Sequence, residues 1–257
     1  MAIHSTAIIH PEAQLEEDVQ IGPYCVLGRN VKVGRGTEIG PQVVIDSNTV
    51  IGEKCKIYPF ASLGQAPQDI KYQGEHSWVI IGNNNTIREY VTIHRGTHRG
   101  GGKTTVGNDN FLMAYVHIAH DCHIGNQVIM ANGATLAGHI EIEDYAIIGG
   151  LSAIHQYVRI GAYALIGGAS GIPQDVVPYV SAVGNRARLF GINVVGLKRH
   201  GFSEQTMRKL KRAYRFIFRS GLKLDDALGR LTEQVGESSE VDHLVDFIRK
   251  SQRGILR

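Results

Sequence analysis

The stretch 106–172, VGNDNFLMAYVHIAHDCHIGNQVIMANGATLAGHIEIEDYAIIGGLSAIHQYVRIGAYALIGGASGI, returns an aliphatic residue or Met130 at every sixth position. The series runs Val106, Leu112, Ile118, Ile124, Met130, Leu136, Ile142, Ile148, Ile154, Ile160, Ile166, Ile172 without a slip. The fifth place of most of these hexads is small or β-branched, as at Val116, Cys122, Ala134, Ser152 and Ala164. A period of six fits neither the 3.6-residue repeat of an amphipathic helix nor the two-residue alternation of a flat strand. It is the hexapeptide period of a parallel β-helix, in which each short strand forms one side of a coil.

The same spacing opens the chain, from Ile3 and Ile9 through Ile39 to Ile57 and Leu63. It breaks first at about 64–80, around GQAPQDIKYQGEHSWV, and returns in frame at Ile81, which reads as a loop thrown off a corner in the place of one coil's worth of chain. It breaks again at about 94–105, HRGTHRGGGKTT, and restarts in a new phase at Val106. Long irregular segments in a compact fold are functional or disordered. Asp69 and Lys71 mark the first as functional, and the second stays open between the two. Three hexads per coil stack positions eighteen apart, so the hexads of Ile118, Leu136 and Ile154 lie one above another. They bring His120, His139 and His155 to one side of the stack, where chemistry is expected.

The 257 residues, 43% of them hydrophobic, can bury a large core. No apolar run approaches membrane-spanning length and no basic-then-apolar leader opens the chain, so a cytoplasmic protein without a stable membrane anchor is expected. Cys25, Cys55 and Cys122 all fall at fifth positions and read as small buried residues, not a disulfide or metal framework. The repeat ends near Pro178. An amphipathic segment follows with Ser203 as N-cap and Gly221 as breaker, then helices at about 224–235 and 241–253. The resulting division is a β-helix over 1–189 and a helical domain over 190–257. Between Arg186 and Arg219 lie ten of the chain's 27 basic residues and one of its 24 acidic ones. Such a face is either a solvated surface or a dock for an acidic macromolecule. Nucleic acid is not expected, since no recognition motif and little aromatic interleaving accompany the charge.

His117, His120 and His123 sit three apart, a spacing that invites a zinc reading. In a hexad fold, however, they occupy different places, so their rings need not converge at bonding distance, and no metal is expected. His4, His10, His76 and His243 read as hydrogen-bonding residues at coil corners. An imidazole ordinarily titrates near neutrality, which suits His120 to take a proton from a hydroxyl, with the neighbouring Asp121 placed to orient the ring. No serine or cysteine stands in a nucleophile-elbow setting, so direct transfer of a group to a bound hydroxyl fits better than a covalent enzyme intermediate.

The segments IHRGT (93–97), VHIAHDCHIGN (116–126), ATLAGH (134–139), AIHQY (153–157), QDIKYQGE (68–75) and GLKRHGF (196–202) closely resemble the acyl-ACP–UDP-N-acetylglucosamine O-acyltransferases of lipid A biosynthesis. The likeness covers essentially the whole chain. It implies a mainly β fold, a left-handed parallel β-helix with a C-terminal α-helical domain, assembled as a homotrimer. It also implies transfer of a 3-hydroxyacyl chain from acyl carrier protein to the 3-hydroxyl of UDP-N-acetylglucosamine. No cofactor is implied, the carrier thioester being a co-substrate, and the basic C-terminal face suits that acidic carrier. The family's base matches His120, its partner carboxylate Asp121 and its oxyanion-binding backbone amide Gly138. Substrate contacts match Asp69, Lys71, His117, His139, His155 and Gln156, with Asn193 and Arg199 on the nucleotide side. Gly168 matches the residue that stops the acyl groove between subunits. Val195 and His200 depart from the pattern, at positions where an acid and an arginine are common, and bear on the nucleotide contacts.

Two other classes compete. One is another transferase on the same repeat, an N-acyltransferase later in the pathway or a CoA-dependent acetyltransferase, against which QDIKYQGE and GLKRHGF both argue. The other is a metal-dependent, carbonic anhydrase-like enzyme or a silent scaffold of the same coil.

Overall fold

The computed structural model describes residues 2–257, the side chains of 232 and 233 apart. Successive strands go to successive faces of a three-sided coil. Ala2–Ile3 opens an 11-stranded sheet, Ile8–Ile9 a 9-stranded sheet and Gln14–Leu15 an 8-stranded sheet. The pairing is parallel throughout the coils, and Ile118 stands beside Leu136, which stands beside Ile154. The repeat follows from packing. The leading aliphatic of each hexad points inward, so Leu112, Ile118, Met130, Leu136, Ile148 and Ile166 are wholly buried. The fifth-position residue is buried too, but it sits just before the strand, where only a small side chain fits beside the core. Cys25, Cys55 and Cys122 fill such places. Their thiols lie near the carbonyls of Gly40, Gly82 and Ala137, and burial pushes the Cys122 thiol up to about 12.

Corners turn through left-handed backbone. Asp121, His139 and Tyr157, eighteen apart in sequence, have φ of 60°, 61° and 64°. Side chains rarely adopt that region, so a column of such residues marks a corner that the stacked coils hold in place.

The first excursion is the expected corner loop, but it differs from expectation in how far it carries the chain. Strand Ser62–Gln65 belongs to the second face and Trp78–Ile81 to the third, so the first excursion advances the chain by one side of a coil and not by a whole coil. Ile81 accordingly pairs with Ile51, thirty residues back. A frame preserved modulo six does not say how far round the coil a corner loop carries the chain. The second excursion sits on the next turn of the same corner, between Thr92–His94 and Lys103–Val106, and carries a short 3-10 turn, His98–Gly100.

The last strand of the coil pairs antiparallel with Arg188–Ile192, a hairpin closing the stack. Four helices follow: α1 Val194–Arg199, α2 Glu204–Arg219, α3 Leu224–Val235 and α4 Ser239–Arg249. The Ser203 hydroxyl caps α2 by accepting from Thr206 N–H at 3.0 Å. Met207, Leu210, Ala213, Tyr214 and Ile217 bury one side of α2, leaving Arg208, Lys211, Arg212 and Arg215 exposed on the other. Helix α4 stops at Arg249, short of the expected 253, because the tail turns back onto the coil. There Asp175 N–H donates to Gly254, Leu256 N–H donates to Asp175, and Ser251 Oγ lies 2.7 Å from the Asp175 carboxylate. His243 is no corner residue. It sits on α4, with Nδ1 2.8 Å from the Tyr179 hydroxyl and Nε2 3.0 Å from Glu143, and so binds helix to coil. His76 meets the edge of Trp78, whereas His4 and His10 bond near their own turns. Among the described residues, no helix is long and apolar enough to cross a membrane.

Candidate active site

The strand His117–Ile118 carries its inward residue into the core and delivers His120 and Asp121 to the corner beyond. The left-handed conformation at Asp121 folds its side chain back onto its neighbour, so that His120 Nδ1 lies 2.8 Å from Asp121 Oδ2. Asp121 is 1% exposed at its side chain. Burial alone raises its pKa, but hydrogen bonds from His120 and from Thr97 outweigh that and hold it below the ordinary carboxylate value. An ionised carboxylate only accepts hydrogen bonds, so the proton in this contact belongs to Nδ1. In the neutral ring the other nitrogen of His120, Nε2, is then the unprotonated one and can accept a substrate proton.

Thr97 closes the carboxylate from the far side. Its backbone N–H donates to Oδ1 at 2.8 Å and its hydroxyl to Oδ2 at 2.7 Å. Thr104 Oγ1 accepts from Asp121 N–H at 2.8 Å. The glycine-rich excursion left open between function and disorder is therefore ordered around Asp121. Gly100 passes so close that a Cβ there would run into the carboxylate.

One coil higher, Gly138 is buried against the His120 ring, and its N–H makes no hydrogen bond among the described residues. His139 meets the ring of His120 edge-on at 5.1 Å, and Tyr157 stacks on His139 at 4.5 Å. Burial keeps the His139 pKa low, against the pull of Asp121 and Asp69. Asp69 itself sits in the first excursion, where its carboxylate accepts from Lys71 N–H. That excursion is fastened by Arg95, which donates to Ser47 O at 3.2 Å and Ser47 Oγ at 3.0 Å and reaches the Tyr72 hydroxyl at 3.4 Å.

His117 shares its Nδ1 with the Thr92 hydroxyl at 2.7 Å and presents its ring to His94 edge-on. Burial lowers the pKa of both; with the charges of His117 and His120 added, His94 falls to about 4. His123 turns to the next face and bonds Thr105. The three-apart histidines therefore share no centre. His120, Asp121 and His139 do bring donor atoms within 4.8 Å of one another. Yet His120 and Asp121 are 2.8 Å apart, a hydrogen-bond separation, whereas two ligands of one tetrahedral zinc stand roughly 3.4 Å apart at bond lengths near 2.1 Å. The geometry holds a proton better than a cation.

The expected column of three imidazoles is only two. His155 turns away to accept from Arg253 Nη2 at 2.7 Å, and Gln156 is exposed beside it. Position in the hexad decides this: His155 is a second residue, next to the strand, where His139 is a fourth, at the corner. Gly168 lies past the strand Leu165–Ile166, at a different corner. Asn193 caps α1 and donates to Tyr163 O, while Arg199 is exposed at the end of the same helix. His200 meets Tyr145 and Tyr163 edge-on, and Val195 is exposed. Thr97, Arg95 and Arg253 were not foreseen as site residues, since each acts through a contact distant in sequence. A cavity of about 620 Å³ runs from Asp121 and His139 past Tyr157 to Lys250 and Arg253. A larger hollow of about 710 Å³ lies against the first coils, near Ile3, Ile21 and Ile39, away from His120.

Comparison with known proteins shows the family. Residues 175–256 match the family model described as UDP N-acetylglucosamine O-acyltransferase, domain 2. Residues 12–47, 30–65 and 103–138 match the bacterial transferase hexapeptide model. The chain is 57% identical to the acyl-[acyl-carrier-protein]–UDP-N-acetylglucosamine O-acyltransferase of Thermodesulfovibrio yellowstonii over 99% of both chains. Among solved structures, the UDP-N-acetylglucosamine O-acyltransferase of Moraxella catarrhalis superposes with a TM-score of 0.97 at 46% identity over 100% of both chains. The Arabidopsis UDP-N-acetylglucosamine acyltransferase superposes with a TM-score of 0.89 at 37% identity, covering 99% of this chain and 100% of that one. The coil has the left-handed sense of these relatives. A hexapeptide coil with relatives of one kind along its full length places the chain in the acyl-[acyl-carrier-protein]–UDP-N-acetylglucosamine O-acyltransferase family.

Proposed function

We propose that this protein transfers a 3-hydroxyacyl chain from acyl carrier protein to the 3-hydroxyl of UDP-N-acetylglucosamine, the first step of lipid A biosynthesis. The observation that carries the reading is the His120–Asp121 pair, which leaves one imidazole nitrogen free to accept a proton. In this mechanism Nε2 of His120 takes the proton as the sugar oxygen attacks the thioester carbonyl carbon. The new C–O bond forms while the carbonyl oxygen gains negative charge. The N–H of Gly138, buried beside His120 and without a hydrogen bond among the described residues, supports its role as the donor to that charge. The C–S bond then breaks, and the departing thiolate takes the proton from the imidazolium. Asp121 stays ionised and stabilises the imidazolium between the two transfers.

Asp69, Lys71, His117 and His139 are proposed to hold the sugar. His155 and Gln156 line the cleft, Asn193 and Arg199 serve the nucleotide side, and Gly168 ends the acyl groove. Gly168 and His120 lie at different corners of one chain, which supports a homotrimer whose clefts form between copies. The exposed cations of α2 supply a dock for an acidic carrier. No cofactor or metal enters the reaction, and a cytoplasmic location is part of the proposal. The test is to incubate purified protein with UDP-N-acetylglucosamine and a panel of 3-hydroxyacyl carrier proteins, then weigh the product. A singly acylated sugar nucleotide whose ester is cleaved by mild base supports the reading. A base-stable amide, or no product from any donor, contradicts it.

A further inference from the structure

We infer that Thr97 is a positioning residue of the acyl transfer, the outer member of a Thr97–Asp121–His120 chain that sets both the direction and the basicity of the imidazole. The inference rests on the reading of His120 as the base. Its ground is that the Thr97 hydroxyl and His120 Nδ1 meet the same carboxylate oxygen, Oδ2, at 2.7 Å and 2.8 Å. The hydroxyl has one proton to give. It accepts from Gly100 N–H at 3.2 Å, so that proton is directed onto Asp121. The backbone N–H of the same residue holds Oδ1. Both carboxylate oxygens are therefore fixed by one residue, and the plane of the carboxylate, hence the line along which His120 is held, is set by Thr97. Thr97 is itself 3% exposed and caps the short turn 98–100, whose Gly100 leaves room for the carboxylate. The second excursion thus acts as a bracket for the base.

The chemistry has a direction. The Thr97 hydroxyl draws charge from Oδ2 and so moderates the carboxylate's pull on the imidazolium. Thr97→Val keeps the shape and removes that donor. His120 then meets a less neutralised oxygen, holds its proton to higher pH, and is less firmly aimed.

The experiment measures kcat/KM against pH, and KM for both substrates, in wild type, Thr97→Val, Thr97→Ser and His120→Ala. The expected loss of kcat in Thr97→Val is on the order of 10- to 100-fold, the worth of a hydrogen bond to a charged group. The acidic limb of its profile should move to higher pH, with KM for both substrates nearly unchanged, while Thr97→Ser restores most of the rate and the wild-type limb. A purely structural Thr97 would lower the rate equally at all pH with no shift of the limb, and that result overturns the inference. So does a Thr97→Val enzyme with wild-type kcat and profile alongside an inactive His120→Ala. Wild-type turnover in His120→Ala instead overturns the reading of the base, and the inference with it. Should Thr97→Val fold poorly, Thr97→Ala carries the same comparison.

Discussion

A Cβ built on Gly138 would stand 2.5 Å from Cε1 of His120 and 2.8 Å from its Nε2. Gly138 is thus a glycine for closeness and not for backbone freedom: the chain one coil above packs directly on the His120 ring. Gly138→Ala should leave the coil folded, because the methyl lies outside the aliphatic core, and should push the imidazole out of line. Misplacement of about 1 Å costs on the order of 100-fold in rate. Steady-state turnover with a circular dichroism control checks this; an alanine variant of wild-type rate would show that the ring is not confined here.

Arg95 ties the excursion that bears Asp69 and Lys71 to the coil through Ser47 and Tyr72, with its side chain 11% exposed. Arg95→Met should loosen that excursion without touching the base. KM for the sugar nucleotide should then rise on the order of 10-fold, in keeping with lost hydrogen bonds to a charged group, while kcat changes less. Arg95→Lys should recover part of the loss. An equal fall in kcat with KM unmoved would place Arg95 in the chemical step instead.

His94 predicts an acid-sensitive fold. Burial, then the charges of His117 and His120, lower its pKa from 6.5 to about 4. The unfolded chain therefore binds a proton near pH 6.5 that the folded chain refuses until about pH 4. Stability falls as pH drops through that window and levels off below it, by about 3 kcal/mol for this group. The lowered values of His117 and His139 act in the same sense. Asp121, held below its ordinary value, adds a loss at still lower pH as it protonates. Unfolding midpoints of wild type and His94→Gln between pH 4 and 7 test this: the wild-type slope should be the steeper, and identical slopes would remove His94 as a cause.

The face of α2 predicts a salt-dependent donor. Arg208, Lys211, Arg212 and Arg215 are exposed, so attraction to an acidic carrier is screened as added salt shortens the Debye length below about 10 Å. KM for the acyl carrier protein should climb with salt while that for the sugar nucleotide changes less. Reversing two of these charges should mimic high salt, and equal loss for both substrates would mean that the face does not dock the carrier.

The coil was legible in the sequence because its cause is local: an inward aliphatic every sixth residue must be buried wherever the chain goes. The α2 cap at Ser203 and the span of α3 were legible for the same reason. What escaped depends on how the corners stack. A six-residue frame shows that the 64–80 excursion is a corner loop but not which corner it leaves from or how far round the coil it carries the chain. Equal spacing of the hexads that carry His120, His139 and His155 hid the histidines' different places within them, and only two of the three rings meet. Thr97 gave no signal of its own, since its partner lies 24 residues ahead. The turn of Arg253 back onto His155 spans 98 residues and follows from tail packing that no local pattern carries.

The most direct test of the account is the turnover of His120→Ala with 3-hydroxyacyl carrier protein and UDP-N-acetylglucosamine, with the coil verified as folded. His120 lies outside the aliphatic core, so the variant should fold, and removing a positioned general base should lower kcat by about 10²–10⁴-fold. A folded His120→Ala protein that turns over at the wild-type rate would contradict the account.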